Sequence, residues 1–444
     1  MNSSILSRKT YFIRTFGCQM NLHDSERVSG LLDSLGCLEV GEPSDADIVV
    51  FMTCCVREAA DTRLYGQCSS CKSLPKPPSG RRVIAVGGCI AQRDGEGLLT
   101  NLDNVDVIFG THSIAHVGEL IARAFEDGDH HVRCEEIEDK GATSMPWHRA
   151  TTFHSWVPIM TGCNNFCSYC IVPYVRGREK SREPEAIVEE IKALVADGVT
   201  EVMLLGQNVN SYGKTLEHPV TFAQLLKQVE AIEGLKRIRF MTSHPKDLSD
   251  ELIQTMAESK KVCHHLHLPM QSGSSRILKI MNRRYDKEKY LELVSKIRKA
   301  VPDISLTTDI IVGFPGETEE DFQDTLDVVE KCDFDSAFTF IYSKRSGTPA
   351  AKMENQVPED VVKDRFDRLL ALVQEKGRKA SSRFEGTVQE ILVEEESKEK
   401  GIFTGRTEYN LLVHFPGCQD LIGKYVKVKL DTCKGFYYFG TLVD

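Results

Sequence analysis

The chain has 444 residues with 55 Lys and Arg against 65 Asp and Glu, a formal charge of −10, 41% hydrophobic residues and 15 cysteines. At roughly 100–200 residues per domain this length predicts two to four domains, and the ordinary apolar content excludes a disordered chain. No apolar run reaches the roughly 18 residues of a membrane-spanning helix, and the N-terminal residues do not resemble a secretory signal. We therefore expect a cytoplasmic protein with no membrane partner. Because cytosolic thiols stay reduced, the cysteines point to metal or redox chemistry rather than to a disulfide framework.

The first part of the chain alternates strand and helix patterns. Three short apolar runs predict strands and two longer segments carry apolar residues at helical spacing; they lie at 10–16, 47–52, 82–86, 25–35 and 112–125. This alternation predicts an open α/β domain of the Rossmann-like type with a parallel sheet over residues 8–126. The polar stretch that follows predicts a linker over residues 127–152.

A longer alternation of strands and helices comes next. Its six strand candidates lie at 155–160, 201–205, 237–241, 264–268, 305–312 and 338–342. Six such repeats predict a partial (β/α)6 barrel over residues 153–382, with its chemistry at the carboxyl ends of the strands. From residue 383 to residue 444 the pattern changes to short alternating strands with Gly-containing turns, which predicts a small all-β barrel.

Three cysteines follow the first strand of the predicted partial barrel at the spacing C-x3-C-x2-C, namely Cys163, Cys167 and Cys170. Three thiolates on one loop can bind three irons of a 4Fe-4S cluster and leave the fourth iron open. The alternative is a structural zinc, but a closed zinc site needs four nitrogen or sulfur ligands, and this neighbourhood supplies three cysteines. The spacing therefore favours a cluster with one open iron.

A second set of cysteines is spread over the N-terminal domain. Cys18, Cys54 and Cys89 each come just after a predicted strand, and glycines stand beside two of them. Because the carboxyl ends of parallel strands meet at one edge of a sheet, we expect these thiols to converge. The alternative is that they are three small buried hydrophobic residues, as free cysteines often are. Because all three cysteines occupy the same place after a strand, the pattern favours a second cluster over three unrelated buried residues.

The C-x3-C-x2-C loop resembles the signature of the radical S-adenosylmethionine (SAM) enzymes. The order of the two cysteine sets and the small β-barrel resembles the methylthiotransferases from about residue 9 to the end. The segments GCQMN (17–21) and PYVRGREKSR (173–182) are most similar to the tRNA-2-methylthio-N6-dimethylallyladenosine synthases, the MiaB group. The sequence departs from the family at Met52, usually Asn, and at Cys55, usually Ser. Cys55 leaves the second ligand of the N-terminal set ambiguous, although Cys54 keeps the family's place.

The resemblance implies an N-terminal methylthiotransferase domain, a radical SAM core and a C-terminal TRAM domain. It also implies two 4Fe-4S clusters and SAM as cofactors: one cluster would cleave SAM to a deoxyadenosyl radical, and the N-terminal cluster would carry sulfur. The implied reaction replaces the C2 hydrogen of an isopentenylated adenosine, 3′ to the tRNA anticodon, by a methylthio group. That hydrogen is not acidic enough for a side chain to remove near neutral pH, so a radical is needed.

The same resemblance assigns SAM contacts to residues at strand ends. Tyr169 would lie near the adenine, and the amino acid and ribose would contact Gly206, Gln207, Asn208, Asp309 and Gly313, because amides and carboxylates can pair with ammonium and hydroxyl groups. For Tyr169 the alternative is ordinary loop packing.

RNA binding is expected at two basic segments. The first has four basic residues against one acidic residue beside the radical motif, and the second is on the C-terminal barrel, where aromatic residues can stack on bases. The residues are Arg176, Arg178, Lys180 and Arg182 in the first segment and Lys424, Lys427, Lys429, Phe436, Tyr437 and Tyr438 in the second. A charged helix entry is the alternative for the first segment.

The expected partners are tRNA carrying an isopentenylated adenosine, a flavodoxin-like electron donor, and iron–sulfur assembly or sulfur-donor proteins. Two alternatives keep the chemistry and change the substrate to a ribosomal-protein aspartate, the RimO type, or to threonylcarbamoyl-adenosine in tRNA. A different class is a non-catalytic iron–sulfur protein that binds RNA or transfers electrons. Reductive cleavage of SAM separates an enzyme from such a protein.

Overall fold

The computed structural model describes residues 5–55, 58–77, 79–135, 148–149 and 151–443. The chain divides into two compact units. The first contains Met1–Thr151, Thr161–Asn164 and Ile171–Arg178, and the second contains Thr152–Met160, Asn165–Cys170 and Glu179–Asp444. In the described ranges, no helix is long and apolar enough to cross a membrane.

The first unit is built on a six-stranded parallel sheet with helices packed against it. Its strands are β1 (Thr10–Thr15), β2 (Leu38–Glu39), β3 (Ile48–Thr53), β4 (Val83–Gly88), β5 (Val107–Phe109) and β6 (His131–Arg133). Its helices are α1 (Gln19–Ser34), α2 (Glu58–Ser70), α3 (Cys89–Asp94), α4 (Val117–Asp127) and the short α5 (Val172–Val175). Every residue of β3 and β4 is buried, because apolar side chains cover both faces of these central strands.

The strand order β2-β1-β3-β4-β5-β6 confirms an open, doubly wound α/β fold. The chain reverses direction across the sheet between β1 and β3, which are adjacent in space, and ligands bind such sheets at this switch point. Strands β2, β5 and β6 are missing from the sequence prediction. Strand β6 lies inside the stretch predicted as a linker. It pairs with β5, so the sheet continues to Arg133. Residues 136–147 and 150 of that predicted linker lie outside the described residues.

The second unit contains six parallel strands followed by helices. The strands are β7 (His154–Pro158), β10 (Glu201–Leu205), β11 (Arg237–Phe240), β12 (His265–His267), β13 (Ser305–Val312) and β14 (Ser336–Ile341), and the short strands β8 (Met160–Thr161) and β9 (Lys180–Ser181) lie between the first two. The helices are α6 (Pro184–Ala196), α7 (Phe222–Glu230), α8 (Asp250–Glu258), α9 (Ser275–Ile280), α10 (Lys287–Ala300), α11 (Glu319–Cys332) and α12 (Glu359–Ser382).

These six strands form an open arc. Strands β7, β10 and β11 make one sheet, strands β12, β13 and β14 make another, and a bridge between Ile238 and Val262 joins the two. Within the described ranges no ladder pairs β7 with β14, as expected for a partial barrel. The carboxyl ends of the strands therefore share one side of the arc, where the loops with the predicted SAM residues begin.

The C-terminal barrel is closed by five strands in the order β15-β16-β17-β19-β18. They are β15 (Val388–Glu396), β16 (Ile402–Arg406), β17 (Leu412–Pro416), β18 (Tyr425–Cys433) and β19 (Tyr437–Leu442). The Arg237 guanidinium, at the start of β11, donates to the carbonyl oxygens of Arg406 at 2.9 Å and Glu390 at 2.8 Å. The small barrel is thereby attached to the amino ends of the central strands, away from their carboxyl ends.

Candidate functional site

The cysteines of the first unit lie at the carboxyl ends of three adjacent strands. Cys18 follows β1 and stands directly before α1, Cys54 and Cys55 follow β3, and Cys89 follows β4 as the first residue of α3. The sheet order places β1, β3 and β4 side by side. The structure therefore brings to one sheet edge the three predicted cysteines and also Cys55.

Two glycines allow the backbone to close around these thiols. Gly17 has φ +116°, and a methyl group added there would lie 2.8 Å from the Sγ of Cys54. Gly88 has φ +91°, and an added methyl group would lie 2.5 Å from the carbonyl oxygen of Thr53. Positive φ and close approach both require glycine, so these positions form a cradle shaped around the cysteine group.

Hydrogen bonds among the four thiols divide them into two pairs. A hydrogen bond with Cys54, assisted by the nearby guanidinium of Arg176, lowers the pKa of Cys18 to about 6. A hydrogen bond with Cys55 and the same guanidinium lower the pKa of Cys89 to about 7. The Cys55 thiol keeps its proton, because its hydrogen bond to Cys89 raises its pKa. Cys18 and Cys89 are thus biased towards the thiolate, the form that binds metals.

Arg176 supplies the positive charge beside these thiols. It is 7% exposed, its Nη2 lies 3.0 Å from a carboxylate oxygen of Asp24, and it donates to the Asn21 side chain at 2.9 Å. The prediction that Arg176 contacts RNA phosphates is wrong, because its buried guanidinium is bound inside the first unit. The sequence prediction grouped Arg176 with the basic residues that follow it, because nothing in the local sequence indicates that its side chain is buried.

The other basic residues of that segment differ in exposure. Arg178 and Lys180 are exposed. Arg182 is half-buried and donates to the Glu190 carboxylate at 2.6 Å and to the Pro158 carbonyl at 2.6 Å. Phosphate contacts by Arg178 and Lys180 stay a prediction.

The loop with the C-x3-C-x2-C motif is held by different contacts in each unit. In the first unit, the Cys163 amide donates to the Gly177 carbonyl at 3.2 Å. In the second unit, Ser168 donates through its amide and its hydroxyl to the carbonyls at the end of α9, each at 3.0 Å. The Asn282 side chain donates to the carbonyls of Asn165 and Phe166 at 3.1 and 2.9 Å. These hydrogen bonds hold the backbone of the loop beside the motif cysteines.

Tyr169 lies between two of the motif cysteines. Its ring packs against an apolar cluster formed by Ile277, Met281, Phe314 and Ala350, and burial raises its pKa well above the usual range. The phenol is therefore neutral and held by ordinary loop packing. Contact with the adenine of SAM stays a prediction.

The loop after β10 contains two buried acceptors without donors. Among the described residues, neither Gln207 Oε1 nor Asn208 Oδ1 has a hydrogen-bond partner, while Asn208 Nδ2 donates to Asp247 at 2.8 Å. Buried polar atoms without partners are rare in folded proteins. Both oxygens therefore fit a ligand that brings N–H or O–H donors. Gly206 serves packing, because an added methyl group would lie 2.6 Å from Met160.

The two predicted residues on and after β13 have different surroundings. Asp309 Oδ2 lies 3.4 Å from His267 Nε2, and His267 Nδ1 lies 2.9 Å from the Thr307 hydroxyl. The Gly313 amide donates to Glu317 Oε1 at 3.2 Å, within the loop that leads to α11. Asp309 thus faces a polar row along the strands, and Gly313 shapes a turn.

Three residues with positive φ stand after strands of the partial barrel, and sequence reasoning missed them. Phe166 has φ +46°, Thr242 after β11 has φ +70° and Gln271 after β12 has φ +64°. A β-branched residue such as Thr rarely adopts this conformation, and such strain concentrates at functional sites. No sequence signal marks these positions, since none is glycine or asparagine.

The outer face of the C-terminal barrel carries basic and aromatic residues. Lys424, Lys427 and Lys429 are exposed, and Phe436 is 64% exposed. The prediction for Tyr438 is wrong: this ring is 1% exposed in the barrel core, and its hydroxyl donates to the Ser381 carbonyl.

An aromatic face on this barrel includes two residues that the sequence analysis did not name. We define the aromatic face as His414, Tyr437 and Phe439. Tyr437 lies 5.0 Å from the His414 ring and 5.7 Å from the Phe439 ring, centre to centre. Residues 437 and 439 point outward while residue 438 points inward, so strict alternation along β19 was the signal that could have found Phe439.

Three family models match this chain. The Radical SAM superfamily matches residues 157–329, the family described as Uncharacterized protein family UPF0004 matches residues 10–110, and the TRAM domain matches residues 382–443. The fold and the two cysteine sets therefore define a radical SAM protein with an N-terminal UPF0004 domain and a C-terminal TRAM domain.

Curated relatives resemble the chain over nearly its whole length. A tRNA-2-methylthio-N(6)-dimethylallyladenosine synthase of Lachnoclostridium phytofermentans is 55% identical over 98% of this chain and 96% of the relative. Relatives of the same name from Acetivibrio thermocellus and Carboxydothermus hydrogenoformans are 50% and 49% identical, covering 98% and 99% of this chain and 91% and 100% of the relatives. The chain belongs to the tRNA-2-methylthio-N(6)-dimethylallyladenosine synthase family.

Solved structures share the fold at low sequence identity. The radical SAM methyltransferase TsrM of Kitasatospora setae, with cobalamin and a [4Fe-4S] cluster bound, has a TM-score of 0.55 and 13% identity, covering 78% of this chain and 74% of that chain. The cobalamin-dependent SAM radical enzyme OxsB, with aqua-cobalamin and SAM bound, has a TM-score of 0.52 and 13% identity, covering 83% of this chain and 56% of that chain. These likenesses support the fold.

Proposed function

We propose that this chain is a radical SAM transferase that methylthiolates C2 of N6-isopentenyladenosine next to the anticodon of tRNA. The observation that carries this proposal is 55% identity over 98% of the chain to a synthase named for that product. The same chemistry on a ribosomal-protein aspartate or on threonylcarbamoyl-adenosine is less well supported, because the relatives described above are named for the dimethylallyl substrate.

The proposed cofactors are two 4Fe-4S clusters and SAM. Cys163, Cys167 and Cys170 would hold one cluster, and three cysteines at the sheet edge of the first unit would hold the other. When bound, the first cluster supplies the electron that cleaves SAM to a deoxyadenosyl radical, and the second supplies the sulfur. Three thiols at each site would leave one of the four irons without a protein ligand.

At the sheet edge, Cys18, Cys54 and Cys89 are the proposed ligands. The lowered pKa values of Cys18 and Cys89 favour their thiolates, and the Cys54 sulfur lies against Gly17 beside Cys18. Cys55 keeps its proton, because its hydrogen bond to Cys89 raises its pKa. These surroundings support Cys54 as the third ligand and Cys55 as a donor of a hydrogen bond to Cys89.

The proposed SAM contacts use the unpartnered oxygens after β10. Gln207 Oε1 and Asn208 Oδ1 would accept from the ammonium group of SAM, which brings three N–H donors. The carboxylate of Asp309 would accept from a ribose hydroxyl, and Tyr169 would pack beside the adenine. Gly206 and Gly313 would contribute through backbone shape rather than through side chains.

For tRNA, the proposed contacts lie on exposed residues. Arg178 and Lys180 would bind phosphates near the radical motif. On the C-terminal barrel, Lys424, Lys427 and Lys429 would bind phosphates while Phe436 and the aromatic face would stack on unpaired bases. Basic and aromatic residues together suit loop RNA, whose bases are free to stack.

The remaining partners and the domain borders are also proposals. Reduction would come from a flavodoxin-like electron donor, and sulfur-donor or iron–sulfur assembly proteins would rebuild the second cluster. A cytoplasmic location follows from the tRNA substrate. We propose that the first domain extends from residue 8 through β6, that the radical SAM core covers residues 153–382, and that the TRAM domain covers residues 383–444.

The test is anaerobic reconstitution followed by two assays. We expect about eight irons per chain, SAM cleavage on reduction, and methylthiolated adenosine detected by mass spectrometry from tRNA that carries the isopentenyl group. A Cys163, Cys167 and Cys170 to Ala variant should lose SAM cleavage and keep the other cluster. Unmodified tRNA, threonylcarbamoyl-adenosine tRNA and ribosomes serve as competing substrates. Product from one of these instead of isopentenylated tRNA would overturn the proposed substrate, and absence of SAM cleavage would overturn the enzyme class.

A further inference from the structure

Arg283 is a buried arginine that contacts a cysteine of the radical motif. It is 8% exposed, and its Nη1 donates to the Sγ of Cys167 at 3.4 Å. Its Nε donates to the Tyr285 hydroxyl at 3.0 Å, and its Nη2 donates to the Pro269 carbonyl at 2.9 Å. All three nitrogens of the guanidinium therefore have a defined acceptor, and one acceptor is the sulfur.

The charge of Arg283 has no carboxylate partner in the part of the chain that the structure describes. The acidic groups close enough to favour its charged form are Tyr285, Tyr169 and Cys167, and burial raises the pKa values of both tyrosines. The neighbouring His244 is neutral, because burial and the Arg283 charge lower its pKa. Arginine does not lose its proton in proteins, and an uncompensated buried charge is costly. The buried cation therefore lies directly against the Cys167 sulfur, with Nη1 at 3.4 Å.

Further hydrogen bonds hold the Arg283 side chain in one orientation. The Tyr285 hydroxyl, which accepts from Nε, donates in turn to the Met270 carbonyl at 2.9 Å. The Arg283 amide donates to the Leu278 carbonyl at 2.8 Å, at the end of α9. The guanidinium is thus held between the backbone after β12 and the end of α9, with Nη1 towards the motif.

We propose that Arg283 is a positioning residue that donates a charge-assisted hydrogen bond to the Cys167 thiolate and raises the reduction potential of the cluster bound there. The inference rests on the proposed function, which places a 4Fe-4S cluster on Cys163, Cys167 and Cys170. Reduction adds one negative charge to a cluster, and a fixed cation beside a ligand sulfur stabilises that charge more than the oxidised state. Hydrogen bonds to sulfur and local charge are established controls of cluster potential.

The experiment measures the midpoint potential of the reconstituted full chain and its variants by redox titration followed by electron paramagnetic resonance. The signal to follow changes when SAM is added and is absent from the Cys163, Cys167 and Cys170 to Ala variant, because this variant keeps only the other cluster. Arg283→Met removes the charge and the hydrogen bond, and Arg283→Lys keeps the charge. Arg284→Met is the matched control, since this neighbouring arginine is exposed.

For Arg283→Met we expect the ratio of reduced to oxidised cluster at a fixed potential to fall at least tenfold, which is a shift of about 59 mV for one electron. Arg283→Lys should shift less, and Arg284→Met should not shift. An unchanged potential in an Arg283→Met protein with full iron content would overturn the proposal, as would an equal shift in Arg284→Met.

A second variant, Tyr285→Phe, tests the proposal if the Arg283→Met protein does not fold or does not bind its cluster. Tyr285→Phe removes only the hydroxyl that holds Nε, so it should lower the potential in the same direction by a smaller amount, and an unchanged potential would overturn the proposal. Failure of the proposed function has a different signature: the unaltered chain would show no signal that responds to SAM. That result would overturn both inferences, whereas a SAM-responsive signal that ignores every substitution would overturn this one alone.

Discussion

The guanidinium of Arg176 lies 3.0 Å from the carboxylate of Asp24, and both side chains are buried in the first unit. Asp24 is on α1, the helix that begins directly after Cys18, and Arg176 directly follows α5. This ion pair places a positive charge beside the thiols at the sheet edge. The arrangement explains why two of those thiols have lowered pKa values.

Arg176→Gln should destabilise the first unit. The substitution leaves the Asp24 carboxylate buried without its partner, and breaking a buried ion pair in this way costs about 3–5 kcal/mol. Urea unfolding followed by circular dichroism measures the effect. Arg63→Gln removes the same charge from an exposed side chain on α2, so the free energy of unfolding of this variant should change by at most about 0.5 kcal/mol. Equal effects of the two substitutions would contradict the burial of Arg176.

The reactivity of Cys18 in the iron-free protein should depend on pH with a midpoint of about 6. The pKa is lowered, so the thiolate is present above this pH and is lost as the pH falls through it. Removal of the Arg176 charge should move the midpoint upward, because the guanidinium favours the thiolate. Iodoacetamide labelling at several pH values, read by mass spectrometry, measures this. Labelling of the exposed Cys418 should not respond to Arg176→Gln, and a Cys18 midpoint that ignores the substitution would count against the electrostatic contact.

Cys54→Ser and Cys55→Ser should have different effects on iron content. If Cys54 is the ligand, its replacement lowers the iron of the reconstituted protein from about eight to about four atoms, whereas Cys55→Ser keeps about eight. Serine has nearly the same size as cysteine, so each substitution tests the sulfur rather than the packing. Iron and sulfide analysis, with Mössbauer spectra of both variants, is the measurement. The opposite pattern would assign the ligand to Cys55.

Gln207→Met should weaken SAM binding without loss of stability. The substitution removes a buried oxygen that has no partner among the described residues and keeps the length of the side chain. One hydrogen bond to a charged group contributes about 1.5–3 kcal/mol, so SAM affinity should fall roughly tenfold or more. Isothermal titration with SAM and urea unfolding give the two readouts. A variant that loses stability while binding SAM normally would mean that Gln207 serves the fold alone.

Tyr438→Ala and Phe439→Ala should separate stability from RNA binding. Tyr438 is in the core of the C-terminal barrel, where loss of a large ring costs about 3–5 kcal/mol. Phe439 is 42% exposed on the aromatic face, so its removal should leave stability unchanged and cost about 1–3 kcal/mol of tRNA binding. Filter binding and thermal unfolding of both variants are the measurements. Unchanged tRNA affinity in Phe439→Ala would argue that the aromatic face does not bind RNA.

The lysines of the same barrel have a separate test. Lys427→Gln together with Lys429→Gln should reduce the slope of log K against log salt by roughly 0.7–0.9 for each lost phosphate contact. Gln is used instead of Glu, because a Glu carboxylate would also repel the tRNA phosphates. Lys398→Gln is the matched control, an exposed lysine in the turn after β15. An equal change of slope in the control would show a general charge effect instead of a local contact.

Much of the fold follows from periodicity along the chain. Strands β3, β4 and β13 lie close to their predicted bounds, because apolar runs bounded by polar or glycine residues leave few other arrangements. Strands β2, β5 and β6 were missed, since each has only two or three residues and owes its existence to pairing with the sheet. The prediction of Tyr438 as an outward residue failed because the three aromatic residues were grouped by composition, while alternation along β19 decides which of them face solvent.

What the sequence determined by itself is the placement of the cysteines. Cys18, Cys54 and Cys89 each follow a strand, and parallel strands must end at one edge of their sheet, so their meeting was predictable without coordinates. Only the tertiary structure decided which charges lie beside the thiols. Arg176 comes to Asp24 across 152 residues, and Arg283 comes to Cys167 across 116 residues. Contacts between residues so far apart depend on how whole elements pack, and no local pattern records whether an arginine is exposed or buried against a sulfur.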